Sequence, residues 1–306
     1  QIINWRIARP VAPDATAADI VASWNGQMGW RWMFYACTVP ALLFFTFAWF
    51  VPESPRWLAR KARFHRQAHE ILERIGGYDY ADRELGSIKE TLNSGRQKIS
   101  TGFLRKPGIA RILIIGVVLA VFQQWCGINV IFNYAQEVFA SAGYSVSDIL
   151  FNIVITGSVN LVFTLVGMFM VDRLGRKALM LIGAGGLAGI YAIIGSMYFS
   201  HLTGVALLIM VVTAIACYAM TLAPVTWVIL SEIFPNRIRG FAMSVATFAL
   251  WAACFVLTYT FPLLNEWLGA SGTFGLYGII CILGFWFIFN TLPETRGKSL
   301  EEIENE

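Results

Sequence analysis

Seven stretches of the chain, roughly 33–51, 109–133, 149–171, 179–200, 205–233, 241–264 and 274–292, are apolar over the length of a bilayer-spanning helix. The hydrocarbon core of a membrane is about 30 Å thick and takes about 20 such residues to cross. Within it only helices or closed barrels satisfy their own backbone, and these runs are continuous rather than alternating, which reads as helix. Hydrophobic residues make up 57% and charged residues 14% of 306, against about 45–50% and about 25% in soluble domains. That balance speaks against a water-soluble enzyme. Cys37, Cys126, Cys217, Cys254 and Cys281 all lie in apolar runs without a short paired spacing, so they read as small buried hydrophobes rather than disulfides or metal ligands. The net charge of +4 is carried in segments between the runs, which offers no basic surface for nucleic acid.

Short polar segments join most of the runs, but 52–108 is a long charged insert with apolar positions at helical spacing: Ala68, Ile71, Leu72 and Ile75, then Leu85, Ile88 and Leu92. It reads as amphipathic helices in water, separating one span from a block of six. His65 and His69 in it have the i, i+4 spacing of a helix metal pair, yet they lie among Arg63 and Arg66 and are expected to be solvated. The basic residues set an orientation. Segments 52–111, 172–178, 234–240 and 293–306 hold 20 of the 23 Lys and Arg, while 140–148, 201–204 and 265–273 hold none. The insert and the C-terminus are therefore expected to be cytoplasmic. Seven crossings that begin outside before residue 33 end on that same side. Gln1–Ala8 has no Met and no signal-peptide pattern, and reads as the end of a span that begins upstream.

Polar groups at bilayer depth are costly unless bonded within the protein or facing a wet cavity, which makes them site candidates. The span from 109 carries Gln123, Gln124, Asn129, Asn133, Gln136 and Glu137, with Asn129, Asn133 and Glu137 on one stripe at i, i+4, i+8. In an unbroken helix Gln123 and Gln124 lie at least about 120° from that stripe. Unwinding at Gly127, between the two sets, would let them converge, as broken helices do around a midplane ligand. A lone amide of this kind is usually glue between helices; five on one span argue for a ligand. Asn160, at the centre of 149–171, reads equally as glue or ligand contact. Trp227 and Trp251 offer the flat faces that pack on the C–H side of a sugar ring. Trp227 gains weight from Pro224, which should kink the helix and free carbonyls. Trp30, Trp32 and Trp267 read as interfacial belt residues. No span carries Asp, Glu, Lys, Arg or His near its centre, so a proton-relay carboxylate is not expected in this part of the chain. No catalytic constellation and no cofactor site emerges.

Four segments at span ends, Pro52-Glu53-Ser54-Pro55-Arg56-Trp57, Asp172-Arg173-Leu174-Gly175-Arg176-Lys177, Glu232 through Gly240, and Pro293-Glu294-Thr295-Arg296-Gly297-Lys298, occur in order with Gln123-Gln124 and Gly127-Ile128-Asn129. Together they resemble the sugar porter family of the major facilitator superfamily, and within it the bacterial D-xylose–proton symporters, over the whole chain. The resemblance implies an all-α membrane protein with the major facilitator fold, twelve spans in two six-span halves joined by a cytoplasmic linker. Residues 1–51 would then be the end of span five, an outer loop and span six; 52–108 the helical linker; 109–292 the C-terminal six-helix half; and 293–306 the cytoplasmic tail, with the first four spans lying upstream.

By the same resemblance Gln123, Gln124, Asn129 and Asn160 match amides that bond sugar hydroxyls, and Trp227 and Trp251 match tryptophans lining the site. Three positions depart from the pattern: Asn133 replaces a Tyr, Ala223 a Gly before Pro224, and Leu250 a Gln or Asn before the Trp. Asp172, Arg173, Arg176, Glu232 and Arg239 match charges that form a conformational ion-pair network. The implied activity is secondary active transport of a monosaccharide, D-xylose or a hexose, by alternating access in the inner membrane. Its partners would be the sugar, protons, the lipid bilayer and the missing N-terminal half. Proton symport follows from the resemblance alone; a facilitative uniporter and a non-transporting sugar sensor are the alternatives.

Overall fold

The computed structural model describes residues 2–10, 16–59, 61–94, 107–135, 138, 146–202, 204–235 and 238–292. Gln136, Glu137, Asn236, Arg237 and the tail 293–306 lie outside the described residues, as does the side chain of Leu92. The described residues form helices and no strand. These are α1 (Ile2–Ile7), α2 (Ala17–Ala22), α3 (Trp30–Ala48), α4 (Pro55–Ala59), α5 (His65–Gly76), α6 (Tyr78–Ser94), α7 (Pro107–Trp125), α8 (Ile128–Asn133), α9 (Val146–Leu174), α10 (Arg176–Phe199), α11 (Val205–Met220), α12 (Leu222–Ile233) and α13 (Arg239–Thr291). Six helical stretches among them are long and apolar enough to cross a membrane. The chain divides into two compact units, one of Gln1–Gly29 with Arg105–Glu306 and one of Trp30–Leu104.

In the first unit the helices pair lengthwise. Along α10, Gly186 packs on Cys217, Gly183 on Thr221 and Arg176 on Glu232, so α11 and α12 run antiparallel to it. The 53 residues of α13 would make a rod of about 80 Å, far more than one crossing needs. Gly269, at φ 66° and ψ 174°, kinks it into two arms. The loop expected at 265–273 is therefore helical on both sides of a single non-helical residue. The second arm returns along α10: Ser271 Oγ donates to the Gly195 carbonyl at 2.7 Å, and Lys177 Nζ lies 5.7 Å from the Phe289 ring at the other end. The first arm runs parallel to α7 and α8, through Trp125 Nε1 to the Ala253 carbonyl and Tyr134 Oη to the Thr258 carbonyl.

With apolar residues on every side, no amphipathic face decides which side is buried. Close approach decides it. Met220 lies four residues before Pro224, whose missing N–H leaves the Met220 carbonyl without its helical donor. Gly167 of α9 lies against that carbonyl so closely that any Cβ would stand 2.5 Å from it. The buried-cysteine expectation holds for Cys126 and Cys281; Cys217 and Cys254 are half-buried, and Cys37 is exposed, because no residue of α3 is buried. Trp30, Trp32 and Trp267 are exposed as belt residues would be.

The second unit has its own small core. Leu58 and Ala59 of α4, Ala68 and Leu72 of α5, and Ala81, Leu85 and Ile88 of α6 pack together. Ile75, expected on that face, is 68% exposed. His65 Nε2 lies 2.9 Å from the Ala59 carbonyl, while His69 Nε2 lies 3.0 Å from Asp82 Oδ1. The two imidazoles serve separate helix junctions.

Candidate functional site

Two helices of the first unit are broken, and the breaks face each other. The α7–α8 break is at Gly127, whose φ of 87° is in the left-handed region that suits glycine. A Cβ there would also lie 2.6 Å from Cγ of the buried Tyr277. The α11–α12 break is at Thr221, φ −118° and ψ −87°, three residues before Pro224. The Thr221 hydroxyl donates to the Cys217 carbonyl at 2.6 Å, satisfying one acceptor at the open helix end.

A chain of side-chain amides runs across these breaks. Asn129 Nδ2 donates to Gln124 Oε1, Gln124 Nε2 to Gln123 Oε1 at 3.1 Å, and Gln123 Nε2 to the Ala223 carbonyl at 3.3 Å. Gln123 and Gln124 are buried and Asn129 half-buried. In a continuous helix Gln124 and Asn129 would point about 140° apart; the turn at Gly127 brings them together. Each amide uses one N–H in the chain. Its second N–H, and Asn129 Oδ1, take part in no hydrogen bond among the described residues and would suit a partner that both donates and accepts.

The remaining candidates fall at different distances from this chain. Trp227 is one turn beyond Ala223 on α12 and is 39% exposed. Asn133 closes α8, and its Nδ2 donates to Thr258 Oγ1 at 3.2 Å. Trp251 is two turns before Thr258 on the same face of α13 and is exposed, whereas neighbouring Leu250 is buried in the core. Asn160 is half-buried on α9; its carbonyl accepts from the Thr164 hydroxyl, and no bond among the described residues joins it to the amide chain. Asn152 and Thr156, two turns and one turn before it on the same face, are buried polar residues that the sequence reading passed over. Their i, i+4, i+8 spacing with Asn160 was the available signal. Thr258 and the Ala223 carbonyl were also missed. Neither has a signal of its own, since a backbone acceptor and a single threonine are unremarkable in an apolar helix.

At the N-terminal end of α10 acidic side chains meet Arg176. Arg176 Nη2 lies 2.9 Å from Glu232 Oε1 and 3.2 Å from Asp172 Oδ1, and its Nε is 3.2 Å from the same Glu232 oxygen. The Arg176 and Glu232 side chains are 15% and 22% exposed, against 78% for Asp172, so the Glu232 contact is the less screened by water. Arg239 Nε donates to the Phe234 carbonyl at 3.1 Å and ties the turn that precedes α13. Arg173 is exposed and has no ion pair among the described residues.

Residues 15–306 match the family described as sugar (and other) transporter. The chain belongs to that family. The D-xylose–proton symporter of Escherichia coli is 41% identical over 290 residues, which cover 92% of this chain and 58% of that protein. The arabinose–proton symporter of Bacillus subtilis is 38% identical over 282 residues, covering 92% and 60%. A solved structure of a proton:xylose symporter of the major facilitator superfamily, bound to 6-bromo-6-deoxy-D-glucose, superposes with a TM-score of 0.82 at 39% identity, over 99% of this chain and 62% of that one. The fold is thus that of the major facilitator superfamily, in a multi-pass membrane protein of a transporter rather than an enzyme family. The chain spans about three-fifths of the length of the curated relatives it matches.

Proposed function

We propose that these residues form the C-terminal part of a monosaccharide transporter that works by alternating access, with D-xylose or a hexose as substrate and proton symport as the driving step. The observation that carries this reading is the chain of amides across two facing helix breaks. A neutral polyol needs paired donors and acceptors at membrane depth without a net charge, and Gln123, Gln124 and Asn129 offer that set. In this reading Asn133 and Asn160 add further amides, while Trp227 and Trp251 pack on the apolar faces of the ring. The names of the xylose and arabinose symporters among the relatives favour a pentose and a proton.

The basic residues of the insert 52–108 and of the tail favour the cytoplasmic side of the inner membrane for both. The Arg176–Glu232–Asp172 cluster then lies at the cytoplasmic face. With Arg239 it biases the two access states, by contacts made in one and released in the other. The test is uptake of labelled D-xylose by the whole protein in proteoliposomes under an inward proton gradient. Accumulation above the external concentration, abolished by a protonophore, is expected. Uptake that only equilibrates would replace symport with facilitated diffusion, and no uptake of any monosaccharide would refute the transport reading.

A further inference from the structure

We infer that Thr258 is a positioning residue for the amide chain: it receives both polar groups at the end of α8 and so fixes the half of the broken helix that carries Asn129. This rests on the reading of the amide chain as the sugar site. Helix α8 has six residues, too few to hold a direction of its own in isolation. It is uncoupled from α7 by the left-handed Gly127, and it ends at Tyr134, where φ is −118° and ψ 32°. Its buried residues, Ile128, Val130 and Ile131, hold it against the core, but apolar contact is non-directional and leaves rotation about the helix axis weakly set.

Two directional bonds run from the C-terminal end of α8 to α13, and both end on one residue. Asn133 Nδ2 donates to the Thr258 hydroxyl oxygen at 3.2 Å, and Tyr134 Oη donates to the Thr258 carbonyl at 2.9 Å. The Tyr134 ring also packs on Phe261, one turn further along α13, with centroids 4.6 Å apart. At the other end of α8, Asn129 meets Gln124. One turn separates Asn129 from Asn133, so a rotation released at Thr258 swings the Asn129 amide away from Gln124. Trp125, on the near side of the break, is tied to the same arm of α13 through the Ala253 carbonyl at 3.1 Å. The first arm of α13 therefore acts as the rail against which both halves of the broken helix are aligned.

The test uses the whole protein with Thr258→Val, which keeps the β-branched shape and the carbonyl but removes the hydroxyl, and Thr258→Ser, which keeps the hydroxyl. Hydrogen exchange at the α8 amides is expected to quicken about fivefold in Thr258→Val and to return to the parent rate in Thr258→Ser, the scale of one neutral hydrogen bond. The half-saturating D-xylose concentration should rise by a similar factor, with the maximal rate within about twofold, and Thr258→Val should add nothing in an Asn133→Ala background. Unchanged exchange in Thr258→Val, or quickened exchange with an unchanged half-saturation, overturns the positioning role. Quickened exchange restored by Ser, in a protein that takes up no monosaccharide, upholds the hold of Thr258 on α8 and refutes the transport reading instead.

Discussion

Replacing Gly127 by Ala tests the geometry on which the amide chain depends. Two costs combine. A residue with a Cβ at φ 87° pays about 1–2 kcal/mol for the left-handed conformation. The new methyl also lands 2.6 Å from Cγ and 2.8 Å from Cδ2 of Tyr277, a ring only 1% exposed with little room to retreat. Overpacking of that kind adds about 1–3 kcal/mol. The sum is a loss of about 2–5 kcal/mol, read as a fall in stability of the detergent-solubilised protein in reversible unfolding. In a Tyr277→Ala background the ring contacts go and only the 3.0 Å approach to the Cβ of residue 277 remains, so the same substitution should cost little more than the backbone part, about 1–2 kcal/mol. Gly127→Ala should also slow sugar uptake, because Asn129 then no longer faces Gln124. A loss below about 1 kcal/mol, or an equal loss in both backgrounds, would show that neither the left-handed turn nor the contact with Tyr277 holds the break.

Glu232→Gln should destabilise the protein by about 1–3 kcal/mol by weakening the partner of a part-buried guanidinium. Asp172→Asn, on a side chain 78% exposed, should stay within about 0.5 kcal/mol in the same unfolding assay. Leu72→Ala opens the core of the insert and should cost that unit about 2–5 kcal/mol, seen as faster hydrogen exchange in α5 and α6 with little change elsewhere. Hydrogen bonds from Thr16 hold the Asp19 carboxyl below its usual value. Its contribution to α2 is therefore complete above the ordinary carboxylate range and lost as pH falls through the lowered value. Exchange in α2 should quicken on acidification, and Thr16→Val, which keeps only the backbone N–H bond to Asp19, should weaken that dependence.

Much of the site was legible in the sequence. Gly127 between two sets of amides marked the break, because glycine is the residue that takes a left-handed turn at no steric cost, and the amides stood out against apolar neighbours. The second break was placed less well: Pro224 announces it, but the non-helical residue is Thr221. The partners of the amides were hidden, since Gln123 bonds a carbonyl 100 residues away and Asn133 a hydroxyl 125 residues away. Among the charges, the motifs marked the right segments without showing that Arg176 gathers the acids while Arg173 faces outward. The end of the apolar run 241–264 was misread for a related reason. Residues 265–273 have the composition of a loop, yet helix continues on both sides of Gly269.

The sequence by itself marked the runs apolar enough to cross a membrane, the charged segments between them, and the amides rather than charges within the runs. Those are sums over neighbouring residues, because the cost of placing a residue in lipid depends on what it is and scarcely on where the rest of the chain goes. Only the tertiary structure decided which amides meet, which carbonyl receives them, and which arginine holds the acids. Helices that are apolar on every side leave their rotation open, and it is close packing between distant segments, with the breaks at Gly127 and Thr221, that chooses the direction in which each polar group points.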